Sequence, residues 1–193
     1  DACDPGRQPL GFGKCRKAEL RSCRSCTPLP LCVRTGKDLI SVTLQKRSSW
    51  KECDELVKLW HRFGDGTGDD PGIFVDVGAN IGACTLEMLQ RTNATILAIE
   101  PSPSSLFYLT SSIKLATAVR PELASRVVVL PFAMSNRTGN AELTHSAVNL
   151  GDARIGGYST AETVVRSFDG RGNIPGVSRN HPAFGAPVTP AVS

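Results

Sequence analysis

The sequence predicts an α/β fold of about three parallel strands with flanking helices, and three observations predict it. Short apolar runs at residues 73–77, 96–99 and 127–130 lack polar alternation and are rich in β-branched residues, as suits interior strands of a parallel sheet. Segments with helical spacing separate them, so the order strand, helix, strand, helix, strand fits right-handed crossovers. The first run ends in a turn bounded by Gly78 and Gly82 that opens directly into a helix.

Residues 1–47 form a cysteine-rich, basic segment, with ten Lys and Arg against four Asp and Glu; the rest of the chain has 12 against 14. The positive charge is therefore local. A solvated surface arm is expected, and nucleic-acid binding is disfavoured because no aromatic residues interleave the charges. The one strand-like run in this segment is 39–44. A helix follows over 48–63, with Ser49 and Glu52 as a capping box and Trp50, Cys53, Val57 and Trp60 as its apolar face. The tryptophans are read as core, docking this helix on the sheet in front of the first strand.

Residues 64–72 form a loop feeding that strand. After the glycine turn, Cys84, Met88 and Leu89 keep near-helical spacing. Ser102 and Pro103 supply an N-cap and a first-turn proline for a helix to about Val119, with Leu106, Leu109, Ile113 and Ala116 on one face. Pro121 ends it. Residues 133–168 suggest a β-hairpin excursion punctuated by Gly139, Gly151, Gly156 and Gly157, and 170–193 form a Gly/Pro-rich segment without period, expected to be a disordered tail.

The junction of the first two strands carries the chemistry. Asp76, at the carboxyl edge of an otherwise apolar strand, needs polar partners: a ligand ammonium or the loop's own N–H groups. Gly78 and Gly82 allow the backbone to turn sharply and approach a ligand, and free amides at the following helix start face it. Glu100, at the end of the second run, is placed to accept two hydrogen bonds from a ribose diol. In the dinucleotide frame G-x-G-x-x-G, however, the second position is Asn80 and the third Ala83, which suits pyrophosphate poorly. A cofactor with an amino-acid tail and a sulfonium fits better, namely S-adenosylmethionine.

In combination, the segments 75–82 (Val-Asp-Val-Gly-Ala-Asn-Ile-Gly), 98–103 (Ala-Ile-Glu-Pro-Ser-Pro) and 131–135 (Pro-Phe-Ala-Met-Ser) resemble the FkbM family of S-adenosylmethionine-dependent methyltransferases. The resemblance implies a Rossmann-like methyltransferase fold and covers residues 72–169. It implies that Asp76, Gly78, Ala79, Asn80 and Gly82 wrap the methionine half of the cofactor and that Glu100 binds the ribose. Pro101 and Ser102 would lie beside the adenine, with Ala133 and Met134 across its other face. Asn149-Leu150-Gly151 and the segment 165–169 resemble further family elements. The family's next strand, bearing Lys-x-Asp-x-Glu-Gly, is not found. The expectation is therefore the first half of the fold only, over 48–169, with the first strand at a sheet edge. The chain is then a fragment, a degenerate relative, or one completed by a second copy or another partner.

Methyl transfer from a sulfonium needs little acid–base chemistry, since the leaving group departs neutral and alignment supplies most of the acceleration. The expected acceptor is a hydroxyl of a sugar or natural product. No catalytic residue is assigned; His145 is the one histidine of the family-like region able to act as a base, and an exposed hairpin residue is the preferred reading. The alternatives are a non-catalytic pseudoenzyme, a cysteine-rich secreted protein or, disfavoured by Asn80, an NAD-dependent oxidoreductase.

Cys84 reads as a small apolar packing residue. For the other six cysteines, all before the turn, disulfides are preferred over a zinc site at Cys23-x-x-Cys26 because no second ligand pair follows. The sequons Asn93-Ala94-Thr95 and Asn136-Arg137-Thr138 agree with a luminal or extracellular address. No metal is expected. The 193 residues, 40% apolar, fit one domain, and no apolar run is long enough to span a membrane.

Overall fold

A computed structural model describes residues 14–159 except 22, 24, 25, 37, 65–70, 137, 138, 146–148, 150 and 152. Residues 1–13 and 160–193 lie outside the described residues, and with them the expected tail, Cys3 and the family-like segment 165–169. Strands β1 (Arg16–Leu20) and β2 (Leu29–Val33) form an antiparallel pair, followed by helices α1 (Leu39–Arg47) and α2 (Lys51–Leu59). The central unit then runs β3 (Ile73–Val77), α3 (Ala83–Arg91), β4 (Thr95–Ile99), α4 (Pro103–Val119) and β5 (Val127–Leu130). Strands β6 (Asn140–His145) and β7 (Ala153–Ser159) make an antiparallel hairpin.

The three parallel strands lie in the order β3-β4-β5, so β3 is an edge among the described strands. Both crossovers run the same way across the sheet, and right-handedness puts α3 and α4 on one face. Phe74, Ile96, Ala98, Val127 and Val129 pack on that side. On the opposite face, among the described residues, Ile73, Val75, Val77 and Val128 are 66, 47, 60 and 49% exposed, whereas Ile99 is 2% exposed.

Helix α4 matches its sequence signals. Ser102 is the N-cap, its Oγ accepting from Ser105 N, with Pro103 in the first turn. A second side is buried too, at Tyr108 and Ser112, because β2 lies along it. Cys32 N donates to Ser112 Oγ, which donates to Cys32 O. Leu20, Leu29, Leu31 and Val33 are fully buried in the same core as Leu86, Met88 and Ile96. The basic segment therefore does not behave as a solvated arm over β2, whose buried side chains pack along α4, while β1 pairs with β2 and keeps Arg16, Lys17 and Glu19 exposed.

Three local expectations are corrected. Residues 39–44 are helical, not strand-like: Asp38 caps α1, its Oδ2 accepting from Ser41 N, and this cap outweighs the β-branched Ile40, Val42 and Thr43. The Ser49–Glu52 capping box is not formed. Ser48 closes α1 in the left-handed region (φ 56°), Trp50 becomes the N-cap of α2, and Ser49 Oγ donates back to Arg47 O. Cys84 is not a free packing residue, since it lies across from Cys53 on the buried face of α2 and the two form a disulfide. Cys15–Cys32 and Cys23–Cys26 are also disulfides, which accounts for the Cys-x-x-Cys pair without zinc. Trp50 and Trp60 pack against the core as expected, Trp60 edge-on to Phe74 at 6.0 Å.

Candidate functional site

The turn after β3 is built by three left-handed residues, Gly78 (φ 81°), Asn80 (φ 50°) and Gly82 (φ 89°). Asparagine tolerates this region better than most residues, and its presence keeps a polar side chain where glycine would have none. The amides of Gly78 and Ala79 both donate to Ile99 O, at 2.8 and 3.1 Å, tying the turn to the end of β4. A Cβ on Gly82 would meet Leu109 Cδ1 of α4 at 2.7 Å, whereas one on Gly78 would meet nothing within 4 Å. Gly82 thus serves conformation and close helix packing, while Gly78 leaves open space beside the cleft. Gly82→Ala is expected to cost about 1–2 kcal/mol from backbone strain, measured by urea unfolding; an unchanged midpoint would contradict this.

Glu100 joins the two halves of the site. Its Oε2 accepts from Asn80 N and its Oε1 from Ser102 N, both at 2.8 Å, while its own N donates to Leu130 O at 3.1 Å. One carboxylate therefore clasps the β3 turn and the start of α4. Glu100 is 5% exposed. Burial raises its pKa above 4.5, opposed by the Ser102 and Asn80 amides and by the charge of Arg34, and the nearby Asp76 adds a further upward push. Asn80 is held at both ends of its amide: Nδ2 donates to Gly151 O at 3.1 Å, and Oδ1 accepts from Ser105 Oγ at 3.3 Å.

A cleft of about 230 Å³ opens at the carboxyl ends of β3 and β4, where ligands of open α/β sheets bind. Val77, Gly78, Asn80, Glu100 and Pro101 line one side, Phe132, Ala133 and Met134 a second, and Leu143, Gly151, Ala153 and Ile155 of the β6–β7 hairpin a third. The volume falls below the roughly 300–1,000 Å³ of complete small-molecule pockets, so the cleft accommodates part of a nucleoside-sized ligand and leaves the rest open.

Of the residues expected at the site, Gly78, Asn80, Glu100, Pro101, Ala133 and Met134 line the cleft. Ala79 is buried behind the turn with Ala98 and Leu109, and Gly82 precedes α3 as its N-cap. Ser102 is fully buried in its capping role, offering the cleft no side chain. Asp76 is met by the first turn of α3 rather than by the amides of the loop. Its Oδ2 accepts from Thr85 Oγ1 at 2.6 Å, and the Thr85 amide adds a backbone bond, so it anchors α3. Burial pushes its pKa above 3.8. His145 ends β6, paired with Ala153. Asn93, in the first sequon, is exposed in the loop after α3; Arg137 and Thr138 of the second lie outside the described residues.

The sequence did not single out Arg34, Asp38, Ser105, Leu143 or Ile155. Phe132 lies inside the matched segment 131–135 but was given no role there. Leu143 and Ile155 are brought in by the hairpin, and Arg34 and Asp38 by the cysteine-rich segment.

Because burial raises the pKa of Glu100, the folded state holds its proton more tightly than the unfolded chain, so stability falls as pH rises from about 4.5 through the raised value. Glu100→Gln is expected to gain stability relative to the unsubstituted chain between pH 4 and 7 in denaturant titrations, and a constant difference would contradict the assignment.

Comparison with protein-family models and with curated proteins finds no match to this chain.

Proposed function

We propose that the chain binds S-adenosylmethionine in this cleft and acts as a methyltransferase on a hydroxyl of a sugar or natural product. The observation that carries the reading is Glu100 at the end of β4, beside a turn with Asn80 where a dinucleotide site has glycine. A ribose diol meets the carboxylate, Pro101 and Met134 flank the base, and the open space beside Gly78 receives the amino-acid tail. When bound, the cofactor supplies the electrophilic methyl group. The chain's own part is to fix the ribose and base so that the methyl faces the open side of the cleft. As the C–O bond forms and the methyl leaves the sulfonium, the acceptor's proton passes to solvent; an acidic hydroxyl needs no side-chain base for this, whereas a sugar alcohol would be helped by one.

Three disulfides support an oxidising compartment, so a luminal or extracellular location is part of the proposal. They equally suit a cysteine-rich secreted protein that retains the cleft without catalysis. No described helix is long and apolar enough to cross a membrane. Thermal-shift titration separates the readings: S-adenosylhomocysteine is expected to raise the melting temperature and NAD to leave it unchanged. Stabilisation by NAD alone would overturn the proposal, and stabilisation by neither would favour the non-catalytic alternative.

A further inference from the structure

The buried cation behind the cleft comes from the cysteine-rich segment. Arg34 follows β2 directly and is 4% exposed. Its Nη1 donates to Ser104 Oγ and its Nη2 to Ser105 Oγ, both at 2.7 Å, and its guanidinium lies 4.7 Å from the Tyr108 ring centroid. These contacts hold the first two turns of α4. Ser105 Oγ donates in turn to Asn80 Oδ1, and Asn80 N donates to Glu100, so an unbroken path of hydrogen bonds and one side chain runs from Arg34 to the clasping carboxylate.

A buried charge of purely structural use is usually met by a carboxylate, because desolvation is otherwise costly. Arg34 gives its hydrogen bonds to neutral hydroxyls, and the carboxylate that balances its charge most strongly, Asp38, does so through space. Its Nε has no hydrogen-bond partner, and neither has Oδ1 of the equally buried Asp38. Its field falls first on Asp38, then on Tyr108 and on Glu100. A positive charge beside the N-terminus of α4 is also unfavourable to the helix dipole, which is a reason to look for its use in the cleft.

We propose that Arg34 is a positioning residue of the ligand site: it orders the first turns of α4 and sets a positive charge behind Glu100. The cysteine-rich segment is thereby a component of the site. The inference rests on the proposed nucleoside-cofactor reading. The charged or titratable groups around Glu100 are Arg34, after β2, and Asp76, on β3; Asp38 before α1 and Tyr108 on α4 surround Arg34 itself. An ionised carboxylate accepts from both diol hydroxyls and from the two loop amides, so ligand affinity rises with pH until Glu100 is fully charged. Removing Arg34 moves that rise to higher pH.

The test is calorimetric titration with S-adenosylhomocysteine from pH 5 to 8, on the unsubstituted chain and on Arg34→Gln and Arg34→Lys, with folding checked by circular dichroism. Arg34→Gln is expected to bind several-fold more weakly at the acid end of this range and to approach its plateau affinity at higher pH. Arg34→Lys keeps the charge but not the two-handed grip, so it should keep the pH profile and bind several-fold more weakly. A folded Arg34→Gln with unchanged affinity, or with the same loss at every pH, would overturn the proposal. If that variant does not fold, unchanged affinity in Arg34→Lys would overturn it. Failure of the unsubstituted, folded chain to bind at any pH would overturn the cofactor reading itself.

Discussion

Leu31→Ala is expected to lower the unfolding free energy by about 2–5 kcal/mol, the range for emptying a buried leucine site. Leu31 is fully buried in β2, a strand that covers the side of α4 away from its Leu109 face. The loss combines the transfer energy of the removed methyl groups with the cavity left between β2 and α4. The cavity should persist, because Cys32 is fixed to Ser112 and to Cys15 and resists collapse onto the helix. Urea denaturation measures the effect. A loss under about 0.5 kcal/mol, typical of surface substitutions, would return the cysteine-rich segment to the role of a solvated arm.

Replacing Cys53 and Cys84 together by alanine is expected to cost about 3–4 kcal/mol. The bridge closes 31 residues of sequence separation and ties α2 to α3, so its loss frees the unfolded chain substantially. The shorter Cys23–Cys26 link, with a separation of three, constrains the unfolded chain far less. Equilibrium unfolding of the double variant beside a Cys23→Ala, Cys26→Ala variant checks both. Equal losses would contradict the loop-length argument, and an unchanged midpoint in the first would show that the bridge is absent.

The parallel unit was legible because each of its elements is marked locally. Apolar runs bounded β3, β4 and β5, and Ser102 and Pro103 marked the start of α4 within a residue. What failed depends on the tertiary setting. Residues 39–44 have the composition of a strand, but Asp38 caps them into a helix that docks beside β1 and β2. Cys84 gave no sign of its partner, since only the packing of α2 on α3 brings Cys53 opposite it.

The site divides the same way. Gly78, Asn80, Glu100, Pro101, Ala133 and Met134, singled out in the sequence, line one cleft. Asp76 reads in sequence as accepting from a ligand ammonium or from the loop's amides, yet Thr85, in the first turn of α3, is the partner that meets it. Arg34 was counted among ten basic residues of a charged segment. Its burial follows from the apolar strand before it, which carries it to the start of α4.

The central claim is that Glu100 grips the ribose of S-adenosylmethionine or its demethylated product. Isothermal titration calorimetry with S-adenosylhomocysteine at pH 7.5 tests it directly on the unsubstituted chain and on Glu100→Ala. The account predicts saturable binding that Glu100→Ala weakens by about 1.5–3 kcal/mol, roughly ten- to a hundredfold, through loss of charge-assisted hydrogen bonds. Equal affinity of the two folded proteins, or no heat from the unsubstituted one, would contradict it.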